Sequence, residues 1–416
     1  MKSILIINQY ASNPDTGFGG RSYYLAQSLA KYSKVTLVYG SFNHLLKTSS
    51  HQKSFLNFNE GSPFYIKSLK TFIYSSSRSP LRIVNWFIFA FKLCLLNNKS
   101  IGFKPSEIIY SSPSLPAYLG AYILAKKFSC PLYFEVRDIW PMSVVELGSF
   151  SRNNLLVILL RQIEKFAYKS SDGIISNLAN IKNHISKYTN KQIKFHYSPN
   201  GISKNKKINK DFKNSKTLNT IIKDLGKLND SGKHIIGYVG GLAPANAMNL
   251  FIDSALLAKN DSKLFFVVVG DGPEKKNLEL ICKSLNLKNI KFYEGVAKNE
   301  VQIVLQTIDI LFLANQFKKI YSYGISPMKL PEYLESKKPI IHVTNSISLL
   351  EEFKCWEVVK EYKPSAVIKS IYNLQKLKEF ERIEMGDKAE SLCRKSLDYN
   401  NLANSLLSFL GDKTNE

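Results

Sequence analysis

Residues 323–341 read YGISPMKLPEYLESKKPII, in order a loop, a helix and a buried strand. Ser326 and Pro327 stand where the loop enters the helix. Serine caps helix starts, and proline fits the first helical position. The same atoms can bind an anion. A helix start carries N–H groups without intrahelical partners. The Ser326 hydroxyl and the amides of Met328 and Lys329 can therefore hold phosphate oxygens, and the Lys329 ammonium adds formal charge. Glu332 lies about one and a half turns further on, where its carboxylate can accept two hydrogen bonds from a diol. Phosphate donors beside a diol acceptor suit a nucleoside diphosphate.

Three other stretches carry similar chemistry. In NQYASNPDTGFGGRSYYLA, residues 8–26, Gly17, Gly19 and Gly20 fall between a strand and a helix. Glycines let a backbone approach an anion at the helix start, and a plain tight turn uses them equally well. Arg21 opens that helix, where the dipole disfavours a cation, so an anionic ligand or a nearby carboxylate is expected beside it. In FEVRDIWPMSVVELG, residues 134–148, Glu135, Arg137 and Asp138 end an apolar strand. They face a ligand, or Arg137 pairs structurally with Asp138 or Glu146; Trp140 and Pro141 shape a turn or stack on a ring. Gly270-Asp271-Gly272-Pro273 is a strand-to-helix turn that can face a nucleotide or simply turn.

These groups need a scaffold, and the chain repeats one grammar twice. SILII is a short apolar run suited to a strand buried on both faces; the helix pattern RSYYLAQSLAKYS and the strand KVTLVYG follow. EIIYSSP, PAYLGAYILAKKF, LYFEVRD, a helix near 153–169 and GIISN continue the alternation. The Lys-, Asn-, Ser- and Asp-rich residues 200–233 interrupt it, as a domain boundary that can include a surface helix. HIIGYVGGL, AMNLFIDSALLAK, KLFFVVVGDGPEKKNLELICKSLNL, NIKFYEG, a helix over 299–307, DILFLAN and KPIIHV then restart it, and NLANSLLSFLGD is an amphipathic helix at the end. Alternating strands and helices predict an α/β chain of two doubly wound, Rossmann-like domains. Ligands are then expected outside the carboxyl ends of the strands, in the cleft between the domains.

Composition narrows the partners. The 416 residues carry a net charge of +24, and residues 1–200 hold 24 Lys and Arg against 8 Asp and Glu, so the first half carries most of the excess. Such a surface favours anionic partners: an anionic membrane surface or a phosphorylated substrate. No nucleic-acid motif is present, so nucleic acid is not expected. Five cysteines without a CxxC pair fit reduced thiols in a cytosol, and six histidines without HxH or HExxH spacing give no metal site. No signal-peptide core is visible. The apolar run 83–96 would make a helix of about 21 Å, short of a bilayer core of about 30 Å.

The motifs GGRSYYLAQSLA, FEVRDIWP, PNGI (199–202), GYVGGL with NAMNLFIDSA, VVVGDGPEKKNLE, FYEGVAKNEV and SPMKLPEYLESKKPII span nearly the whole chain. In their order and spacing they resemble the group 1 (family 4) glycosyltransferases of the GT-B fold. NQYA, GSFNH, EVRDIWP and YGISPMKLPEY resemble in particular the bacterial O-antigen and capsule transferases for acetamido-deoxy sugars, including the fucosamine type. The resemblance implies an acceptor-binding domain over 1–203, a linker or surface segment over 204–232, a nucleotide-sugar domain over 233–395, and a C-terminal helix (396–416) packing back on the first domain. It implies a retaining transfer from a UDP-sugar co-substrate, with no metal and no further cofactor. The acceptor would be a polyprenyl-diphosphate-linked saccharide, met at the cytoplasmic face of the inner membrane, beside other polysaccharide-assembly enzymes. By the same resemblance Gly19, Gly20, Asn246, Ser326, Met328, Lys329 and Leu330 serve the donor diphosphate, Glu332 the ribose, and Gly295 and Val296 the nucleobase. Gly324, Ser326, Arg21 and His44 serve the donor sugar or acceptor, and Arg137 and Asp138 are the catalytic candidates.

The chain departs from the family pattern at named places. Of two Glu residues eight apart, Glu332 matches the second, and the first falls on Gly324, at the usual contact to the donor sugar. The usual Arg and Lys for the diphosphate fall near Gly241 and Asn246, leaving Lys318, Lys319, Lys329 or Arg137 to replace them. The histidine common after the middle strand falls on Arg137, and His44 ends another strand. A UDP-sugar 2-epimerase of the same fold, or a non-catalytic sugar-nucleotide-binding subunit of a polysaccharide assembly complex, are the alternatives. An NAD enzyme would need GxGxxG and a later acidic residue, found in neither half.

Overall fold

The computed structural model describes residues 1–14, 20–43, 46, 64–75, 79–148, 150–203 and 214–411. Gly19 and His44 lie outside these residues. The chain divides into two units, Met1–Ser203 with Asp398–Glu416, and Lys204–Leu397.

The first unit is built on seven parallel strands: β1 (Ser3–Ile7), β2 (Lys34–Gly40), β3 (Phe64–Leu69), β4 (Glu107–Ser111), β5 (Leu132–Val136), β6 (Gly173–Ser176) and β7 (Lys194–Tyr197), in the order β3-β2-β1-β4-β5-β6-β7. Ile4 pairs with Val35 on one side and Glu107 on the other. The central strands are apolar without alternation because helices cover both faces. One face packs the helices Arg21–Leu29 and Tyr399–Gly411 over Ile4, Ile6 and Leu37. The second of these buries Leu402, Leu406 and Phe409 at helical spacing. The Tyr399 amide donates to the Ile202 carbonyl (3.1 Å) where the chain returns to this unit.

The second unit has six parallel strands: β8 (His234–Val239), β9 (Leu264–Val269), β10 (Ile290–Tyr293), β11 (Ile310–Ala314), β12 (Ile340–Val343) and β13 (Glu357–Val359), in the order β10-β9-β8-β11-β12-β13. Residues 204–232 were expected as a linker or surface segment. Of these, Lys216–Asp230 form a helix capped by the Ser215 hydroxyl, which buries Leu218, Ile221 and Leu225 at i, i+3 and i+7.

Both sheets thus follow one rule. The chain winds outward on one side of the first strand, then crosses to the other side, so the order reverses between β1 and β4 and again between β8 and β11. Crevices open at the carboxyl ends of these strands. Strands β3, β7 and β13 and the helices Pro364–Lys376 and Glu379–Ser396 are not expected from the sequence pattern. The three strands sit at sheet edges and are less buried, so their residues mix polar and apolar types, and the apolar signature of the central strands is absent.

Candidate functional site

In the second unit, bare backbone creates the crevice at the reversal point. Gly240 follows β8 with φ +150°, and a Cβ there would stand 2.0 Å from Lys329 Cε. Gly270 follows β9 with φ +157°, and a Cβ there would stand 1.9 Å from the Gly240 carbonyl oxygen. Neither position admits a side chain, so the loops after β8 and β9 close together and the Lys329 stem lies along them. Tyr333 fixes the other wall. Its hydroxyl accepts from the Val239 amide (2.9 Å) and donates to the Val239 carbonyl (3.2 Å), pinning the helix Leu330–Glu335 to the end of β8.

Lys329 is half-buried, with its Nζ 5.1 Å from the centre of the Tyr238 ring. It makes no ion pair among the described residues. Burial first and the Lys298 charge second lower its pKa to about 8, with Glu332 opposing them. Glu332 is buried, and its Oε1 lies 2.5 Å from Lys298 Nζ. Lys298 comes from the loop after β10, so that loop and the Glu332 helix are joined by charge. Gln302 Nε2 donates to the Glu332 carbonyl (3.0 Å) and to Glu335 Oε2 (2.9 Å), which holds the same helix from the other side.

The local geometry corrects the sequence reading at the helix start. Ser326 and Pro327 precede the helix; Lys329 is its N-cap residue, and Pro331 is the proline of the first turn. The Leu330 amide donates to the Pro327 carbonyl (3.2 Å), so it is already used within the turn. The amides of Met328 and Lys329 donate to no backbone carbonyl among the described residues. Two of the three expected amide donors are therefore open, beside the Lys329 ammonium.

The other expected donor-side residues sit around this turn. Asn246 Nδ2 donates to the Gly241 carbonyl (2.8 Å), which also accepts from the Tyr238 hydroxyl (2.6 Å). The Gly295 amide donates to Asp271 Oδ2 (2.8 Å), linking the loops after β9 and β10, with half-buried Val296 next in sequence. Lys275 joins the same loops, with its Nζ 3.2 Å from Asp271 Oδ1 and 2.8 Å from Glu294 Oε1. Gly324 ends a short 3-10 turn (Lys319–Tyr323) with φ 118° and ψ 160°. A glutamate at 324 would be strained there. The position that lacks the expected carboxylate thus also has a backbone that disfavours one.

In the first unit the outcome is different. Arg21, expected at the donor sugar or acceptor, is 1 % exposed. Its Nε donates to Glu135 Oε1 (2.9 Å), one terminal nitrogen to the Ser198 hydroxyl (2.8 Å), and the other to the Pro199 carbonyl. The carboxylate anticipated beside this helix start is Glu135. Burial pushes the Glu135 pKa up, but Arg21 and Arg137 outweigh it and hold the group below its usual value. Arg21 thus ties its helix to β5 and to the loop after β7. Gly20 caps the helix with φ 86°, and no atom lies within 4 Å of where its Cβ would be.

Arg137 and Asp138 follow β5 and do not pair in the way expected of a purely structural couple. The Arg137 amide donates to the Ser112 hydroxyl (2.9 Å), while its Nε is buried with no hydrogen-bond partner among the described residues. Burial lowers the Arg137 pKa, with Glu135 opposing. Asp138 Oδ2 accepts from Trp140 Nε1 (3.0 Å), and burial raises its pKa against that bond. Arg82 was not singled out by the sequence. Its Nε donates to the Tyr10 hydroxyl (3.0 Å), and it lies over the rings of Tyr10, Trp86 and Trp140 at 5.4, 5.8 and 5.5 Å. Tyr333 and Arg82 carried no signal because their partners lie more than 50 residues away, at Val239 and at Tyr10 and Trp140. Among the described residues, no three His, Cys, Asp or Glu side chains cluster as a metal site.

Residues 221–390 match the family described as glycosyl transferases group 1. No curated protein matches the chain. Among solved structures, HepE of Anabaena in complex with UDP and glucose is 14% identical, with 99% of this chain and 100% of that one covered and a TM-score of 0.63. Sucrose-phosphate synthase from Thermosynechococcus elongatus is 11% identical, with 98% of each chain covered and a TM-score of 0.70. A trehalose-6-phosphate protein from E. coli bound with UDP-2-fluoro glucose is 11% identical, with 99% and 100% covered and a TM-score of 0.70. The two parallel-sheet units have the GT-B fold, and the group 1 match over 221–390 falls within the second unit.

Proposed function

We propose that the protein is a retaining glycosyltransferase that moves an N-acetylated amino or deoxyamino sugar from a UDP-sugar to a polyprenyl-diphosphate-linked saccharide. Bacterial O-antigen or capsule synthesis, at the cytoplasmic face of the inner membrane, is the setting that reading implies. The observation that carries it is the turn at 328–332. Two open amides and a lysine with no ion pair among the described residues adjoin a buried carboxylate at the β8–β11 reversal point. The amides of Met328 and Lys329 and the Lys329 ammonium would hold the diphosphate, and Glu332 would take the ribose hydroxyls after releasing Lys298. Lys298 would then be free to meet a phosphate. The names of the structural neighbours, which include complexes with UDP, support a uridine nucleotide.

In the reaction so read, the acceptor hydroxyl forms the new bond to the anomeric carbon on the face the diphosphate leaves. The departing phosphate oxygen takes the hydroxyl proton. The chain then supplies orientation and charge stabilisation on the leaving group, needing no side-chain base. Arg137, with an unused buried donor, is the first-unit residue suited to a phosphate or sugar oxygen. The testing experiment is a panel of nucleotide sugars assayed for UDP release with a lipid-linked saccharide acceptor. One UDP-sugar should give acceptor-dependent release of UDP with retained anomeric configuration. Turnover with no donor, or inverted product, overturns the proposal.

A further inference from the structure

Helix Leu81–Cys94 is apolar on two sides. One side buries Asn85, Trp86, Phe89 and Leu93. The other exposes Leu81, Val84, Phe87 and Phe91, and the stripe runs on to Leu95 just past the helix. These five fall at steps of three, three, four and four, the spacing of one helical face. Phe91 is 65 % exposed. Helix Leu115–Phe128 packs beside it and exposes Leu119 and Ile123, one turn apart. Helix Leu155–Ser170 packs on the far side of Leu115–Phe128 and exposes Leu155, Ile158, Leu159 and Phe166, with Leu155 83 % exposed. The result is one layer of three neighbouring helices, each with apolar side chains in water. Soluble surfaces rarely place so many together without a partner.

Charge says what the partner is. Apart from Arg82, which is turned in to Tyr10, the three helices carry Lys92, Lys126, Lys127, Arg161, Lys165 and Lys169, against one acid, Glu164. Glu164 is buried, bonded to the Tyr168 hydroxyl (3.0 Å) and His184 Nε2 (2.7 Å), so it does not offset the cations outside. A protein partner of matching shape would need its own apolar face ringed by acids. A bilayer rich in anionic lipid offers apolar depth and negative charge over the whole area at once. No helix among the described residues is long and apolar enough to cross a membrane, so these helices would lie in its surface.

We propose that the layer formed by Leu81–Cys94, Leu115–Phe128 and Leu155–Ser170 is a docking face for an anionic bilayer, inserting Phe87, Phe91, Leu95 and Leu155 while lysines bind the headgroups. This deepens the reading of a membrane-borne acceptor and rests on it for the biological setting. The geometry of the face does not depend on the donor site. Sedimentation of the full-length protein with phosphatidylcholine vesicles, with and without phosphatidylglycerol, tests it. The protein should sediment with the anionic vesicles and be released by salt. The double variant Phe91→Glu/Leu95→Glu should lose at least about tenfold in partitioning, with unchanged melting and UDP affinity, because both side chains already face water. Lys165→Glu/Lys169→Glu should lose binding to anionic vesicles by about tenfold as well. Wild-type binding to neither vesicle, equal binding to both, or variants that bind as the wild type would overturn the proposal. So would dimers of the wild type that Phe91→Glu/Leu95→Glu disperses. Failure to bind UDP with vesicle docking intact would sink the donor-site reading alone.

Discussion

The reversal points of the two sheets make an internal comparison. Strand order is the same over the first six strands of each unit, and each brings a cation to the carboxyl ends of its strands. In the first unit that cation is Arg21, and the fold consumes it: Glu135, Ser198 and Pro199 take its donors, and it is 1 % exposed. In the second it is Lys329, which lies over Tyr238 and makes no ion pair among the described residues, because the nearby carboxylate of Glu332 holds Lys298. One topology therefore carries two electrostatic outcomes. A crevice becomes a candidate anion site when the fold leaves its cation unneutralised, and a structural joint when the fold supplies the counter-charge.

Substitutions at the two cations should separate these roles. Arg21→Met leaves Glu135 buried without its partner, and should cost about 3–5 kcal/mol of unfolding free energy, read by urea denaturation. Lys329→Met should change stability by less than about 1 kcal/mol, since its charge is already disfavoured where it lies. A destabilised Lys329→Met and a neutral Arg21→Met would reverse the comparison. Arg137→Ala should lower kcat about 100-fold with melting unchanged, and normal turnover would return Arg137 to the scaffold. For UDP affinity, measured by calorimetry, Lys329→Met should lose about 30-fold, and Glu332→Ala about tenfold. Unchanged UDP affinity in Glu332→Ala would remove the ribose assignment.

The smallest effect is one of pH. Lys329 titrates at about 8 in the protein alone, and a bound diphosphate would raise that value by favouring the ammonium form. UDP affinity should then stay level below pH 8 and fall above it, by at most about tenfold per pH unit. Lys329→Met should remove that fall, and the same fall in the variant would assign the titration to another group.

The central strands were legible because burial on both faces demands continuous apolar runs, as SILII and LFFVVV show. Edge strands such as Glu357–Val359, half in water, left no comparable mark. At the site, the types were legible and the partners were not. Lys329, Glu332 and the amide of Met328 were read from one heptapeptide, because a helix start exposes donors wherever it occurs. Which residue caps that helix was misread by three positions: Ser326 looks like a cap locally, but Tyr333 bonding to Val239 sets where the helix begins packing on β8.

Local sequence determined the two alternating sheets, the Gly-rich turns that close on each other, and the residue types available for an anion and a diol. Those depend on short-range sterics and on periodicity, which the chain carries residue by residue. The tertiary structure alone decided which charges cancel. Arg21 meets Glu135 across 114 residues and Glu332 meets Lys298 across 34, while Lys329 makes no ion pair among the described residues because the nearby Glu332 carboxylate holds Lys298. Coulombic pairing depends on distance and burial in space, and neither can be read along the chain.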